Sequence, residues 1–155
     1  MVSKAAIADA IADTLATATG IVKAQSYNEL SESVARGDLP LLQVYWQSSE
    51  QDITSNTDRT TFRAVVRQTE ELYHADVFCT QRANLAQDMS RIVTTAEALQ
   101  VVLEAQDVKP YFGLLDGAIP AIKAFHWRME RVNFAPDNPE VFYPGVRIFI
   151  TVRIF

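Results

Sequence analysis

Residues that announce chemistry are scarce in this sequence. A single cysteine, Cys79, excludes an internal disulfide, and no Cys and His residues stand together at zinc-ligand spacing. The five glycines, Gly20, Gly37, Gly113, Gly117 and Gly145, occur singly, so none builds a phosphate-cradling loop and each reads as turn punctuation. No run of about 18 apolar residues exists, which excludes a membrane-spanning helix. Residues 1–20 are Ala-rich, but Asp9 and Asp13 interrupt them, so they read as a helix of the mature protein rather than a secretory signal. Positive charge is also short: 14 Lys and Arg face 19 Asp and Glu, a net charge of −5. Affinity that depends on neutralising nucleic-acid phosphates needs the opposite balance, although a local basic face stays compatible with it. Together these absences lead to the expectation of a chain made and assembled in the cytoplasm.

What is present suits one domain spanning residues 1–155, since 48% hydrophobic content in 155 residues supplies a single core. The expected class is α+β, a mostly antiparallel sheet packed against an N-terminal helix and a long amphipathic helix. Ile7, Ile11 and Leu15 recur at helical spacing behind a Ser3 N-cap and predict a helix over residues 3–17, stopped by Gly20. A short strand is expected at 21–25. Ser26 and Glu29 then have capping-box spacing, which predicts a helical turn through Ala35, ended by Gly37 and Pro40. Residues 41–46 form a β-rich run that opens into a polar stretch, 47–59, with Ile53 its one apolar residue. A mobile loop or an extended hairpin arm is expected there.

Residues 60–80 are β-compatible throughout and predict one long strand, or two joined by a bulge near Gln68. Tyr73, Ala75, Val77 and Cys79 alternate there with Leu72, His74, Asp76 and Phe78. Between about residues 82 and 105, Leu85, Met89, Ile92, Ala96, Leu99 and Leu103 share one helical face. Residues 107–120 read as a connector. In 121–134, Phe125, Trp127 and Met129 alternate with His126, Arg128 and Glu130, the pattern of a strand with one buried face. The closing run, 146–155, sets Val146, Ile148, Ile150, Val152 and Ile154 against Arg147, Phe149, Thr151, Arg153 and Phe155. Its apolar face is expected to pack under the 85–103 helix, and the short return predicts an antiparallel pair.

No motif marks His74 or His126 as a base or a ligand, and each reads as a polar-face strand residue. His74 and Asp76 share a face, but side chains two apart on a strand lie roughly 7 Å from each other, beyond direct hydrogen-bonding reach. Cys79 reads as core packing. Glu70, Glu71 and Asp76 are an acid/base pair only if the fold joins them, and Trp127 reads as core before it reads as a stacking platform. Serine elbows, Walker and Rossmann loops and His-Glu-x-x-His are all missing. The expectation is therefore no enzyme, with no catalytic, cofactor-binding or metal-binding residues. The alternative is a small ligand-binding or hydrolytic domain with a pocket lined by Tyr73, His74, Trp127 and carboxylates.

Charge is laid out in strips. Arg59, Arg63 and Arg67 share one strand face, Arg147 and Arg153 another. Arg is favoured at interfaces, and the acidic residues Glu50, Asp52 and Asp58 of the polar stretch are the partners such strips would meet on a neighbouring copy. Phe149 and Phe155 add apolar area to a face that a lone monomer would keep polar, and the expectation is self-assembly.

The order of elements resembles that of tail-terminator, or tail-completion, proteins of long-tailed bacteriophages. The likeness is carried by Arg67-Gln68-Thr69-Glu70 leading into His74-Ala75-Asp76, by Ile122-Lys123-Ala124-Phe125-His126-Trp127-Arg128, by Tyr143-Pro144-Gly145-Val146-Arg147 and by Ile150-Thr151-Val152-Arg153-Ile154-Phe155. It implies a virion protein of the tail or neck, a homo-oligomeric ring, usually a hexamer. Such a ring caps the head-proximal end of the tail tube, stops its growth, meets the tube protein and a neck or head-completion protein, and passes DNA as cargo only. Residues 47–59 would then be the arm that reaches a neighbour or the tube. A neck stopper or head-tail joining protein is the alternative within the same assembly.

Overall fold

Ser3 accepts a hydrogen bond from the Ala6 amide at 3.1 Å and caps helix α1, Lys4–Leu15. Ile7, Ala8, Ile11, Ala12 and Leu15 form its buried stripe. The computed structural model describes residues 2–26, 30, 34–53, 67–81, 85–136 and 141–154, with the backbone alone at 52, 53, 67, 68 and 85. After α1 come β1 (Lys23–Ser26), β2 (Leu41–Ile53), β3 (Arg67–Phe78), α2 (Leu85–Glu104), a two-residue hairpin of β4 (Leu115–Asp116) and β5 (Ile119–Pro120), then β6 (Ile122–Phe134) and β7 (Tyr143–Ile154). The predicted turn from Ser26 falls mostly outside the described residues, and Ser26 itself ends β1 with its hydroxyl bonded to Asp9.

The class is α+β. Five strands form a mixed sheet in the order β1-β2-β3-β7-β6, antiparallel except for the parallel β1–β2 edge. The stretch 27–40 between those two strands supplies the crossover length that a parallel return requires. β7 is thus a central strand. On one face its Val146, Ile148, Ile150, Val152 and Ile154 are all buried, and each contributes about 1.5–3 kcal/mol of transfer free energy. They share one core with α1, with Ile92, Leu99 and Leu103 of α2, and with Tyr73, Ala75 and Val77 of β3. No described helix is long and apolar enough to cross a membrane.

The polar stretch corrects the expectation of a loop beginning at Gln47. β2 continues as regular strand to Ile53, paired with β3 through Ile53↔Arg67. The bulge lies in β2, between Trp46 and Ser48, and not near Gln68, which pairs in register with Asp52. Exposed Gln47 is a residue that can be left unpaired without loss of core packing, and its insertion exchanges the two faces of the strand beyond it. Trp46 and Ser49 consequently stand on the same face, joined by an indole N–H to hydroxyl bond of 3.0 Å.

A second, smaller cluster of Val34, Leu41, Phe78, Phe134 and Tyr143 closes one end of the opposite sheet face. Gly145 lies at its centre. A Cβ there would stand 1.8 Å from the Val77 carbonyl oxygen and 3.2 Å from the Phe134 ring, and Phe78 and Phe134 meet edge to face beside it at 4.7 Å. Gly145→Ala should therefore destabilise the chain by more than the about 1–3 kcal/mol usual for an overpacked methyl, whereas Gly37→Ala, with open space around it, should not. Urea denaturation of both variants checks the contrast.

Candidate functional site

The sheet face away from the helices carries side chains in cross-strand rows. One row runs Gln43–Asp76–Arg147–Glu130, and the next Tyr45–His74–Phe149–Arg128. Arg147 grips Asp76 with both arms of its guanidinium, Nε to Oδ1 at 2.7 Å and Nη2 to Oδ2 at 3.1 Å. The Tyr45 hydroxyl donates to Asp76 Oδ2 at 2.7 Å and stands 3.3 Å from His74 Nδ1. His74 and Asp76 therefore make no direct bond, as their spacing requires, but are bridged through Tyr45. With the Tyr45 proton engaged by Asp76, its oxygen is an acceptor, which favours the Nδ1–H tautomer of His74.

Electrostatics freeze this network. Burial, then the charge and hydrogen bond of Asp76, push the Tyr45 phenol upward, so it stays protonated. Burial and the nearby Arg147 lower the His74 pKa against the smaller opposing pull of Asp76 and Glu130, so the imidazole is neutral at physiological pH. Asp76, 5% exposed, accepts three donors, one on Oδ1 and two on Oδ2. Phe149 is clasped between the His74 ring edge at 4.8 Å and the Arg128 guanidinium at 4.0 Å. The arrangement ties β2, β3, β7 and β6 together across the sheet.

On the other face, under α1, lies a second polar group. Glu71, 3% exposed, accepts from Tyr73 at 2.6 Å and from Ser49 at 3.5 Å and pairs with Lys4 at 3.1 Å, whose ammonium sits 5.5 Å from the Trp46 ring centre. Burial and the Glu71 carboxylate push the Tyr73 phenol upward. Cys79 is buried, its thiol pushed up to about 11 by burial, and it packs as expected.

No family model matches this chain, and no curated protein does.

The pocket drawn from Tyr73, His74 and Trp127 does not form, because Tyr73 and His74 project to opposite faces of β3. Trp127 instead lines a 470 Å³ depression with Leu103, Tyr111, Phe125 and His126 at the foot of α2. Arg147 and Arg153 each meet a carboxylate within the chain: Arg153 bonds Glu70 at 2.6 Å as Arg147 bonds Asp76. Both are directly opposed pairs of the β3–β7 ladder, where Cβ atoms are about 5 Å apart. Glu50 is exposed on β2, across from Glu70. Asp52 and Arg67 hold strand positions opposite Gln68 and Ile53, while Asp58, Arg59, Arg63 and Phe155 lie outside the described residues. Tyr45 and Lys4 were not anticipated. The spacing of Arg147 and Arg153 equals that of Asp76 and Glu70, and that match is the signal that would have paired the strands.

Two outcomes follow from the network. Asp76→Ala strands a partly buried guanidinium and should destabilise the fold by on the order of 3 kcal/mol, while Asp76→Ala with Arg147→Met should lose markedly less; a double-mutant cycle in denaturant reads the difference. A His74 pKa lowered in the folded state means the unfolded chain binds more protons just below about pH 6.5, so stability present above that pH is lost as the pH falls through it. Unfolding free energies measured between about pH 7 and 5.5 should decline, and His74→Asn should flatten that slope.

Proposed function

We propose that this chain is a structural subunit of a bacteriophage tail, a terminator that closes into a homo-oligomeric ring on the head-proximal end of the tail tube. The observation that carries this reading is the β2–β3 hairpin. Its pairs Asp52↔Gln68 and Ile53↔Arg67 continue past Thr69↔Ile154, the last β3–β7 pair, and β1 accompanies β2 only as far as Val44. These two pairs point the hairpin away from the rest of the sheet, the direction in which an arm toward a neighbouring subunit would extend. The likeness of the second half of the chain to tail terminators supports the same role. So does the helix-free sheet face, where the described Asp76 and Glu70 are each engaged by an arginine of β7. A net charge of −5 fits a ring through which DNA slides without sticking.

Native mass spectrometry and negative-stain microscopy of the purified chain should show a closed ring, hexameric if the tail-terminator likeness holds. Added to a polymerising tail-tube protein of the same phage, the chain should arrest growth and label one tube end. A chain that stays monomeric up to high micromolar concentration and leaves tube length unchanged would overturn the proposal, and labelling confined to the neck would assign it to the stopper instead.

A further inference from the structure

A strand at the border of a sheet presents unpaired backbone amides and carbonyls, and long borders invite another chain. Two are open here. β6 forms one over its 13 residues. At the other border the described pairing of β1 stops at Ser26↔Val44, so that from Tyr45 onward β3 is the one partner of β2 among the described residues. Neither stretch contains a proline, which would remove a donor from the edge.

The two borders are complementary in direction. β2, β3, β7 and β6 alternate, so β6 runs opposite to β2. A second copy set outside β6 with its β2 against it therefore continues the antiparallel order and keeps the helices on the same side. Charge selects the register. On the helix-free face β6 carries His126, Arg128 and Glu130, and β2 beyond its bulge carries Ser48 and Glu50. Glu50 has no ion pair among the described residues, and its opposite number Glu70 is already neutralised by Arg153. Placing Glu50 across from Arg128 sets Ser48 across from Glu130 and Ser49 across from Met129. Registers that keep the faces aligned differ by two residues. The neighbouring one on one side opposes Glu50 to Glu130, and on the other it leaves Arg128 facing Ser48. Arg128 is exposed, and its five donors serve Glu50 as well as Glu130, which it bonds at 2.9 Å.

We propose that copies of this chain join head to tail through their sheet borders, residues 48–53 of β2 in one subunit pairing antiparallel with 125–130 of β6 in the next. This deepens the ring reading and rests on it. Head-to-tail contacts of this kind are the ones that close into rings. A two-fold β6–β6 contact would also oppose Arg128 to Glu130, but it stops at a dimer and leaves β2 open.

The full chain carrying Ser49→Cys and Met129→Cys tests it. Within one subunit β3 and β7 separate these positions by three strand spacings, roughly 14 Å, beyond the roughly 7 Å limit for Cα atoms joined by a disulfide. Buried Cys79 stays out of the reaction. Mild copper-phenanthroline oxidation should produce a ladder of dimers, trimers and higher species that reductant collapses, and neither single variant should give one. Dimers from Met129→Cys alone would overturn the proposal in favour of the two-fold contact. Assembled rings without a ladder would overturn border pairing and leave the ring standing, whereas a wild-type chain that never assembles removes both. Independently, Glu50→Arg should weaken assembly and Glu50→Arg with Arg128→Glu should restore it; no rescue counts against the register.

Discussion

The register of β3 against β7 is the constraint on which the rest of the structure depends. It opposes Tyr73 to Ile150, Ala75 to Ile148 and Val77 to Val146 on one face, and Asp76 to Arg147 and Glu70 to Arg153 on the other. A slip of one residue would turn every one of these side chains over, exposing the aliphatic row and burying two guanidinium groups. Core burial and charge pairing therefore choose the same alignment, and neither alone would fix it as firmly. Because β7 also templates β6 and β3 templates β2, this one ladder sets the order of the larger sheet.

Much of this was legible in the sequence, for reasons that differ by element. Ile7, Ile11 and Leu15 placed α1 to within a few residues because helical spacing and a serine cap are local signals. The alternation from Val146 to Ile154 identified β7 and its buried face in the same way. What was not legible depended on distant partners. Gln47 is an unremarkable polar residue until β3 lies beside it and one residue proves surplus. Tyr45 gained its role as the bridge between His74 and Asp76 from strand pairing across a hairpin, and nothing beside it in the chain announces that. Arg147 and Arg153 share a face as their spacing implies, but their pairing with Asp76 and Glu70 depends on which strand lies opposite, and a single-strand pattern does not carry that.

The distribution of satisfied and unsatisfied groups is uneven in an informative way. The faces of the sheet are settled: two helices cover one, and the described charges on the other largely neutralise each other, with Arg128 folded over Phe149. The borders are less so, since among the described residues β6 and the far half of β2 each have a partner on one side only. Polarity that remains uncompensated is thus mostly backbone, which carries direction and register but little residue identity. Alternation along such borders keeps each side chain on its face, and the charges of Glu50 and Arg128 add what identity the backbone lacks.

That alternation is interrupted by the bulge at Gln47. Side-chain orientation along β2 repeats every two residues, so lineages of this protein can lengthen or shorten the strand in pairs and keep Glu50 on its face. A single insertion or deletion reverses the far half unless another odd step absorbs it. The surplus residue at Gln47 is such an odd step, so a single-residue change at the bulge itself restores a straight strand or adds a second bulge, whereas changes elsewhere in β2 keep their faces only in even steps.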